Sequence, residues 1–332
     1  MQTSIMAKEA RESASVIKHQ LAKNSDVCKQ VAAHLRELDP AFVLMVGRGS
    51  SDHAGVFAKY LIEVEVGIPV AAAAPSVTGV YGSQLSFKNG VVIVISQSGR
   101  SPDIIRQVEM AKKGGAYCIA LVNDETSPLG EIVDAVIPLS AGEEKAVAAT
   151  KSYLATLSAI CQLVSHWKAD EALLSGLEAL PAAMEEVVKR PPQLSSSSLA
   201  DVRHCVVLGR GFGYAVSKEI ALKLKEVLSI HAEAFSSAEF LHGPVTLVER
   251  KLNIVNVAVR DESTEQHLLQ IEEVSKRGAK LHHLEEYVEG LHPRLLPLLT
   301  LQRFYLDIEQ AAQDLGYDPD QPPGLKKVTE TV

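Results

Sequence analysis

Aromatic residues supply only 5% of the 332 positions, with a single tryptophan, so the chain is poor in stacking platforms. Positive charge is short as well: 33 Lys and Arg stand against 41 Asp and Glu, a formal net charge of -8. No basic field gathers nucleic acid or anionic lipid, and an anionic substrate has to be met by a local site of backbone N–H groups and hydroxyls. The four cysteines, Cys28, Cys118, Cys161 and Cys205, lie far apart in neither a C-x-x-C pair nor a disulfide pattern, and are expected to be reduced core residues. No apolar run approaches the ~20 residues that span a bilayer. Met1 to Gln20 lacks the apolar core and cleavage site of a signal peptide, so a cytoplasmic protein with no membrane partner is expected. Metal ligands are not grouped: His282 and His283 are adjacent in a strand and point to opposite faces, while His53 and His267 lack spaced partners.

What remains is 46% hydrophobic, rich in Ala, Val and Leu, and long enough for two domains with real cores. Helices are expected over Ser4 to Ala22 and Asp26 to Glu37, ending at Asp39-Pro40. Short apolar strands follow at Phe42 to Val46, Pro69 to Ala73, Val91 to Ile95, Ala116 to Val122 and Asp134 to Pro138, alternating with helices such as Asp52 to Val64 and Pro102 to Lys112. Continuous apolar strands between helices imply a parallel sheet covered on both faces. After helices at Thr150 to Trp167 and Asp170 to Lys189, Pro191-Pro192 and the serines 195–198 read as a solvated linker. Strands at Cys205 to Leu208, Asn253 to Ala258 and Lys280 to Leu284 then build a second α/β unit, with helices at Tyr214 to Leu228, Thr264 to Lys276 and Leu295 to Leu315. The strand-turn run Val43 to Gly49 recurs at Val206 to Gly211, with its glycines offset by 162 positions, which points to duplication.

Gly-Arg-Gly after a strand invites comparison with a dinucleotide fingerprint, but Asp52 and Tyr214 stand where the third glycine belongs, and neither copy has a P-loop lysine. The glycines suit a tight strand-to-helix turn, to which the first copy adds the hydroxyls of Ser50 and Ser51. A stronger signal is Ser96-Gln97-Ser98-Gly99-Arg100-Ser101-Pro102, set between a strand and a helix that Pro102 can begin. Helix-start N–H groups with hydroxyls and a closing glycine make an anion site. Both loops are expected at the carboxyl ends of their strands, where Ser51 and Ser96 to Ser101 can face one pocket. A plain N-cap explains one serine but not the cluster. Arg100 either binds phosphate or faces solvent.

These motifs, with Ala148-Ala149-Thr150-Lys151, Ala221 to Glu226, His231 to Ala234, His242-Gly243-Pro244 and the tail from Asp320-Gln321-Pro322 to Lys327, resemble the tandem sugar isomerase (SIS) domain family. The match is to the isomerase half of the glucosamine-6-phosphate synthases and covers nearly the whole chain. Those synthases also carry a glutaminase domain whose cysteine follows the initiator Met; here Gln2 follows Met1 and only about forty residues precede the first strand. The resemblance without that domain is to the SIS-type glucosamine-6-phosphate deaminases. It implies two doubly wound, flavodoxin-like parallel sheets: a helical segment at 1–40, a phosphate-binding domain at 41–190, an acid-base domain at 199–318 and a closing tail at 319–332.

It further implies Glu226 as the base moving a proton between C1 and C2, His242 as a ring-opening residue from a neighbouring subunit, and Lys223 and Lys327 beside the open-chain sugar. Ser51, Ser96, Gln97, Ser98 and Ser101 would hold the phosphate, with Gly49, Ser50, Val147 and Ala149 against the substrate. Ala149 replaces a serine of the synthase pattern, and Arg100 an acidic residue. Spacing agrees with part of this: Lys223 and Glu226 are three apart and share a helix face, although an isolated pair of this kind is more often a surface ion pair. The implied partners are an amino-sugar phosphate and a second copy of the chain in a homodimer, with no cofactor. Deglycases or isomerases of fructosamine or galactosamine 6-phosphate are alternatives, as is a non-catalytic sugar-phosphate sensor.

Overall fold

The computed structural model describes residues 3–327. The first two residues of the expected helical segment and the last five of the expected tail therefore lie outside the described residues. In chain order the first elements are α1 (Ile5–Leu38), β1 (Phe42–Val46), α2 (Ser50–Glu65), β2 (Val70–Ala72), α3 (Ser76–Gly79), β3 (Gly90–Ser96), α4 (Pro102–Lys113), β4 (Tyr117–Val122), α5 (Pro128–Ile132), β5 (Ala135–Pro138), α6 (Lys151–Lys168) and α7 (Glu171–Val187). There follow α8 (Ser196–Leu199), β6 (His204–Gly209), α9 (Phe212–Leu228), β7 (His231–Ser236), α10 (Ser237–Phe240), β8 (Asn253–Val257), α11 (Thr264–Lys276), β9 (Lys280–Leu284) and α12 (Leu296–Asp314).

Two compact units emerge. Among the described residues the first gathers Ser15–Glu144 and Lys151–Glu178; the second gathers 3–14, Lys145–Thr150 and Ala179–Lys327. In the first, five parallel strands run in the order β2-β1-β3-β4-β5, with Val46 of β1 beside Val94 of β3. All seven residues of β3 are buried, the mark of a strand covered on both faces. The second unit holds the parallel order β7-β6-β8-β9. Both sheets reverse direction of winding beside their first strand, between β1 and β3 and between β6 and β8. Ligands of open parallel sheets bind at this kind of switch point.

Three local expectations are corrected. A single 34-residue α1 replaces the two expected helices. The polar run Lys23-Asn24-Ser25 does not break it, because Asn24 is fully buried and its side-chain N–H donates to the Pro138 carbonyl at 2.8 Å. The serines at 195–198 are not an open connection: Ser195 caps α8 in a reciprocal capping box. Just before it, the N–H groups of Gln193 and Leu194 donate to the buried Asp307 carboxylate at 2.8 and 3.0 Å. Finally β7 is an additional strand, paired with β6 from His204 beside His231 to Gly209 beside Ser236. All four cysteines are free and buried, as their scatter implied. No helix among the described residues is long and apolar enough to cross a membrane.

Candidate active site

In the first unit the loops after β1 and β3 lie at the carboxyl ends of adjacent strands. Gly49 caps α2 at φ 54° and ψ -127°, a conformation only glycine adopts freely. A Cβ on Gly47 would stand 2.7 Å from the backbone carbon of Ser51, so the chain turns tightly enough to bring Gly49, Ser50 and Ser51 to the switch point. The second loop folds on itself. Ser96 Oγ accepts the Gly99 N–H at 3.0 Å and Ser98 Oγ accepts that of Arg100 at 3.4 Å. These bonds use hydroxyl oxygens and leave the hydroxyl hydrogens to donate. Ser101 is the N-cap of α4 yet its side chain makes no capping bond. Gly99, at φ 65°, has no room for a side chain: a Cβ would fall 2.1 Å from the hydroxyl of the fully buried Ser127. The expected phosphate residues Ser51, Ser96, Gln97, Ser98 and Ser101 are thus carried by two neighbouring loops of one sheet.

Two arginines in these loops are already engaged. Arg48 donates from Nε and Nη2 to Asp103 Oδ2 at 2.9 and 2.7 Å, stitching the β1 loop to the first turn of α4 and offsetting the carboxylate there. Nothing local in the sequence announced that pair, 55 positions apart. Of the two expectations for Arg100, the solvent-facing one holds: its side chain is 58% exposed. It pairs with Asp124 at 2.8 Å, and the Asp124 carboxyl lies below its usual range through hydrogen bonds from Thr126 and Arg100.

The second unit carries the titratable groups. On α9, Lys223 is 1% exposed with Nζ 2.6 Å from Glu226 and 3.2 Å from Glu219. Burial lowers its pKa, but the two carboxylates outweigh burial and raise it, so the cation persists at neutral pH. Glu219 is fully buried, whereas the Glu226 side chain is 22% exposed and is the carboxylate of the trio that solvent reaches. Glu219 escaped the sequence reading, although its place four residues before Lys223 on an apolar helix was the available signal. His242 sits exposed in the turn after α10, its N–H donating to the Glu239 carbonyl at 2.9 Å, followed by Gly243 at φ 137°. Among the described residues no bond joins it to Lys223 or Glu226. Lys327 Nζ donates to the Ala146 carbonyl at 2.7 Å, beside Val147 and Ala149, which are half-buried.

Residues 22–166 and 198–284 match the model of the SIS domain. The chain belongs to the SIS domain family. Among its relatives, the glutamine–fructose-6-phosphate aminotransferase (isomerizing) of Thermus thermophilus is 32% identical over 318 residues, covering 88% of this chain and 52% of that protein. This SIS chain thus spans about half the length of the curated relatives it matches. A Silicibacter pomeroyi crystal structure named for a phosphosugar isomerase shares 34% identity at a TM-score of 0.89, covering 96% of this chain and all of that one. Glucosamine-6-phosphate deaminase from Thermotoga maritima, 23% identical at a TM-score of 0.77 with 99% and 100% coverage, is alike in fold.

The duplicated SIS unit also holds a polar cluster that no motif advertised. Buried His267 places Nε2 2.6 Å from Asn256 Oδ1 and Nδ1 3.0 Å from the Ser237 hydroxyl. Burial, then the charge of Arg210, lowers its pKa to about 4, so it is neutral in the fold. Among the described residues no group of three or more His, Cys, Asp and Glu is arranged to hold a metal ion.

Proposed function

We propose that this SIS chain is an isomerising deaminase of an amino-sugar phosphate, converting glucosamine 6-phosphate and water to fructose 6-phosphate and ammonia. The observation that carries the reading is the buried Lys223 ammonium held between two carboxylates, of which Glu226 alone is open to solvent. The Lys223 cation offsets the negative charge that builds on the sugar as the C2 proton leaves, beside the carboxylate that accepts that proton. Glu226 takes the C2 proton of the open-chain aldehyde and returns it at C1, leaving an imine at C2 that water hydrolyses. Ser51, Ser96, Gln97, Ser98 and Ser101 bind the phosphate, Gly49, Ser50, Val147 and Ala149 contact the sugar, and Lys327 neighbours its open chain. His242, exposed on its turn, opens the ring for a second copy of the chain in a homodimer.

Incubating the purified chain with glucosamine 6-phosphate should release ammonium and fructose 6-phosphate in equal amounts. Absence of ammonium from this sugar and from galactosamine and fructosamine 6-phosphates refutes the reading. A second reading, phosphosugar isomerase without loss of nitrogen, is favoured by the 34% identity to the Silicibacter pomeroyi protein, and ketose-aldose interconversion without ammonium would select it.

A further inference from the structure

The segment 145–150 carries Val147 and Ala149, forms neither helix nor strand, and has its backbone held from two sides. From α1, the Glu9 carboxylate accepts the N–H of Lys145 at 2.6 Å and of Ala146 at 3.2 Å. From the tail, the Asp320 carbonyl accepts the Val147 N–H at 3.0 Å and Lys327 grips the Ala146 carbonyl. The two holders are themselves joined. The Asp320 carboxylate accepts the N–H of Ile5 at 2.9 Å and of Met6 at 2.8 Å, and Ser4 Oγ accepts that of Ala7 at 3.0 Å. The first three N–H groups of α1, which no intrahelical carbonyl can satisfy, are all taken, two of them by a charge placed at the positive end of a 34-residue helix.

Resting on the sugar-phosphate reading above, we propose that Asp320 and Glu9 are positioning residues for the sugar-binding segment: Asp320 locks the tail to the start of α1, so that Glu9 and the Asp320 carbonyl fix residues 145–147 in one register. Charge-assisted bonds to backbone N–H groups are the strong ones, and Glu9, only 3% exposed, has little water to satisfy its charge. A segment without a ladder of its own takes its geometry from such bonds, and a small displacement of substrate contacts weakens binding more than chemistry.

The test uses near-isosteric variants of the full chain. In Asp320→Asn, hydrogen exchange at Val147 should quicken about tenfold or more, and in Glu9→Gln the same should hold at Lys145 and Ala146, with β3 and β6 unchanged as the check on folding. The KM for glucosamine 6-phosphate should rise about tenfold in each with kcat within about threefold, and Asp320→Glu should recover part of the loss. The double variant should fall short of the product of the single effects, since both loosen one segment. Unchanged exchange at 145–147 in folded variants, multiplicative effects, or loosened exchange with unchanged KM overturns the inference. A wild-type chain that turns over no amino-sugar phosphate overturns the functional reading alone, and the exchange pattern still decides whether the clamp exists.

Discussion

Replacing the two carboxylates around Lys223 one at a time should separate stability from turnover. Glu219→Gln keeps the shape of a fully buried side chain but leaves an almost fully buried ammonium with one carboxylate fewer. Breaking a buried pair from one side costs about 3–5 kcal/mol. At roughly 2–4 °C per kcal/mol for chains of about this size, the thermal midpoint should fall by ~6–20 °C. Glu226→Gln removes a partly exposed charge whose loss solvent can cushion, so its cost should be nearer ~1–2 kcal/mol. Turnover should behave oppositely, dropping about 100-fold or more in Glu226→Gln with substrate still bound, and far less in Glu219→Gln at temperatures where it is folded.

The sign of the pH dependence follows from the raised pKa of Lys223: its stabilisation is present below the ordinary lysine value of 10.5 and is lost as pH climbs through the higher folded value. Wild type should therefore shed more stability in that alkaline window than Glu219→Gln. Thermal melts paired with ammonium release make the measurement. A neutral Glu219→Gln, or a Glu226→Gln chain that keeps full turnover and C2 deuterium exchange, would refute the division of labour.

Two further outcomes are expected. Ser98→Ala combined with Ser101→Ala should raise KM for the sugar phosphate strongly at nearly constant kcat, because each lost hydroxyl leaves a charged oxygen unpaired at ~1–3 kcal/mol; unchanged kinetics would move the phosphate site elsewhere. His267, lowered to about 4 in the fold against 6.5 when unfolded, takes up its proton first in the unfolded chain. Its contribution is therefore present above pH 6.5 and lost as pH falls towards 4, by about 3 kcal/mol in all, and an unaltered acid slope in His267→Gln would refute that assignment.

Reading the strands from the sequence worked where burial wrote a continuous signal, as in Val91 to Ile95, and failed where tertiary context supplied it. The strand His231–Ser236 contains His, Ala and Glu, residues with little preference for extended structure, and it exists because β6 offers an edge from His204 to Gly209. Asn24 reads as a helix boundary until the Pro138 carbonyl, 114 positions away, claims its amide. The turns after β1 and β3 were legible because glycine is demanded by the backbone itself, at Gly49 and Gly99. The partners of Arg48 and Arg100 were not, since an ion pair across loops leaves no local spacing to read. Glu219 lay within reach of the same helical periodicity that paired Lys223 with Glu226.

The duplication explains why one unit carries the serine-rich loop and the other the titratable groups. Gly211 repeats the backbone of Gly49 closely, at φ 54° and ψ -124° against φ 54° and ψ -127°, so the second copy keeps the glycine turn. The loop beyond β8 departs from its counterpart beyond β3. Where the first copy has Ser96 to Ser101, the second has Arg260-Asp261-Glu262-Ser263, a loop with two carboxylates in place of the hydroxyl cluster. Asp261 accepts the N–H and the hydroxyl of Ser263 at 2.7 and 2.6 Å. Glu262 receives both terminal nitrogens of the buried Arg294 at 2.7 and 2.9 Å, which lowers its pKa to about 2 and keeps it charged throughout the physiological range. A phosphate brought there would meet the Glu262 charge and donors already spent. The second copy thus keeps the glycine turn without the hydroxyl cluster, and its helix α9 holds a different charge arrangement, the buried cation between Glu219 and Glu226.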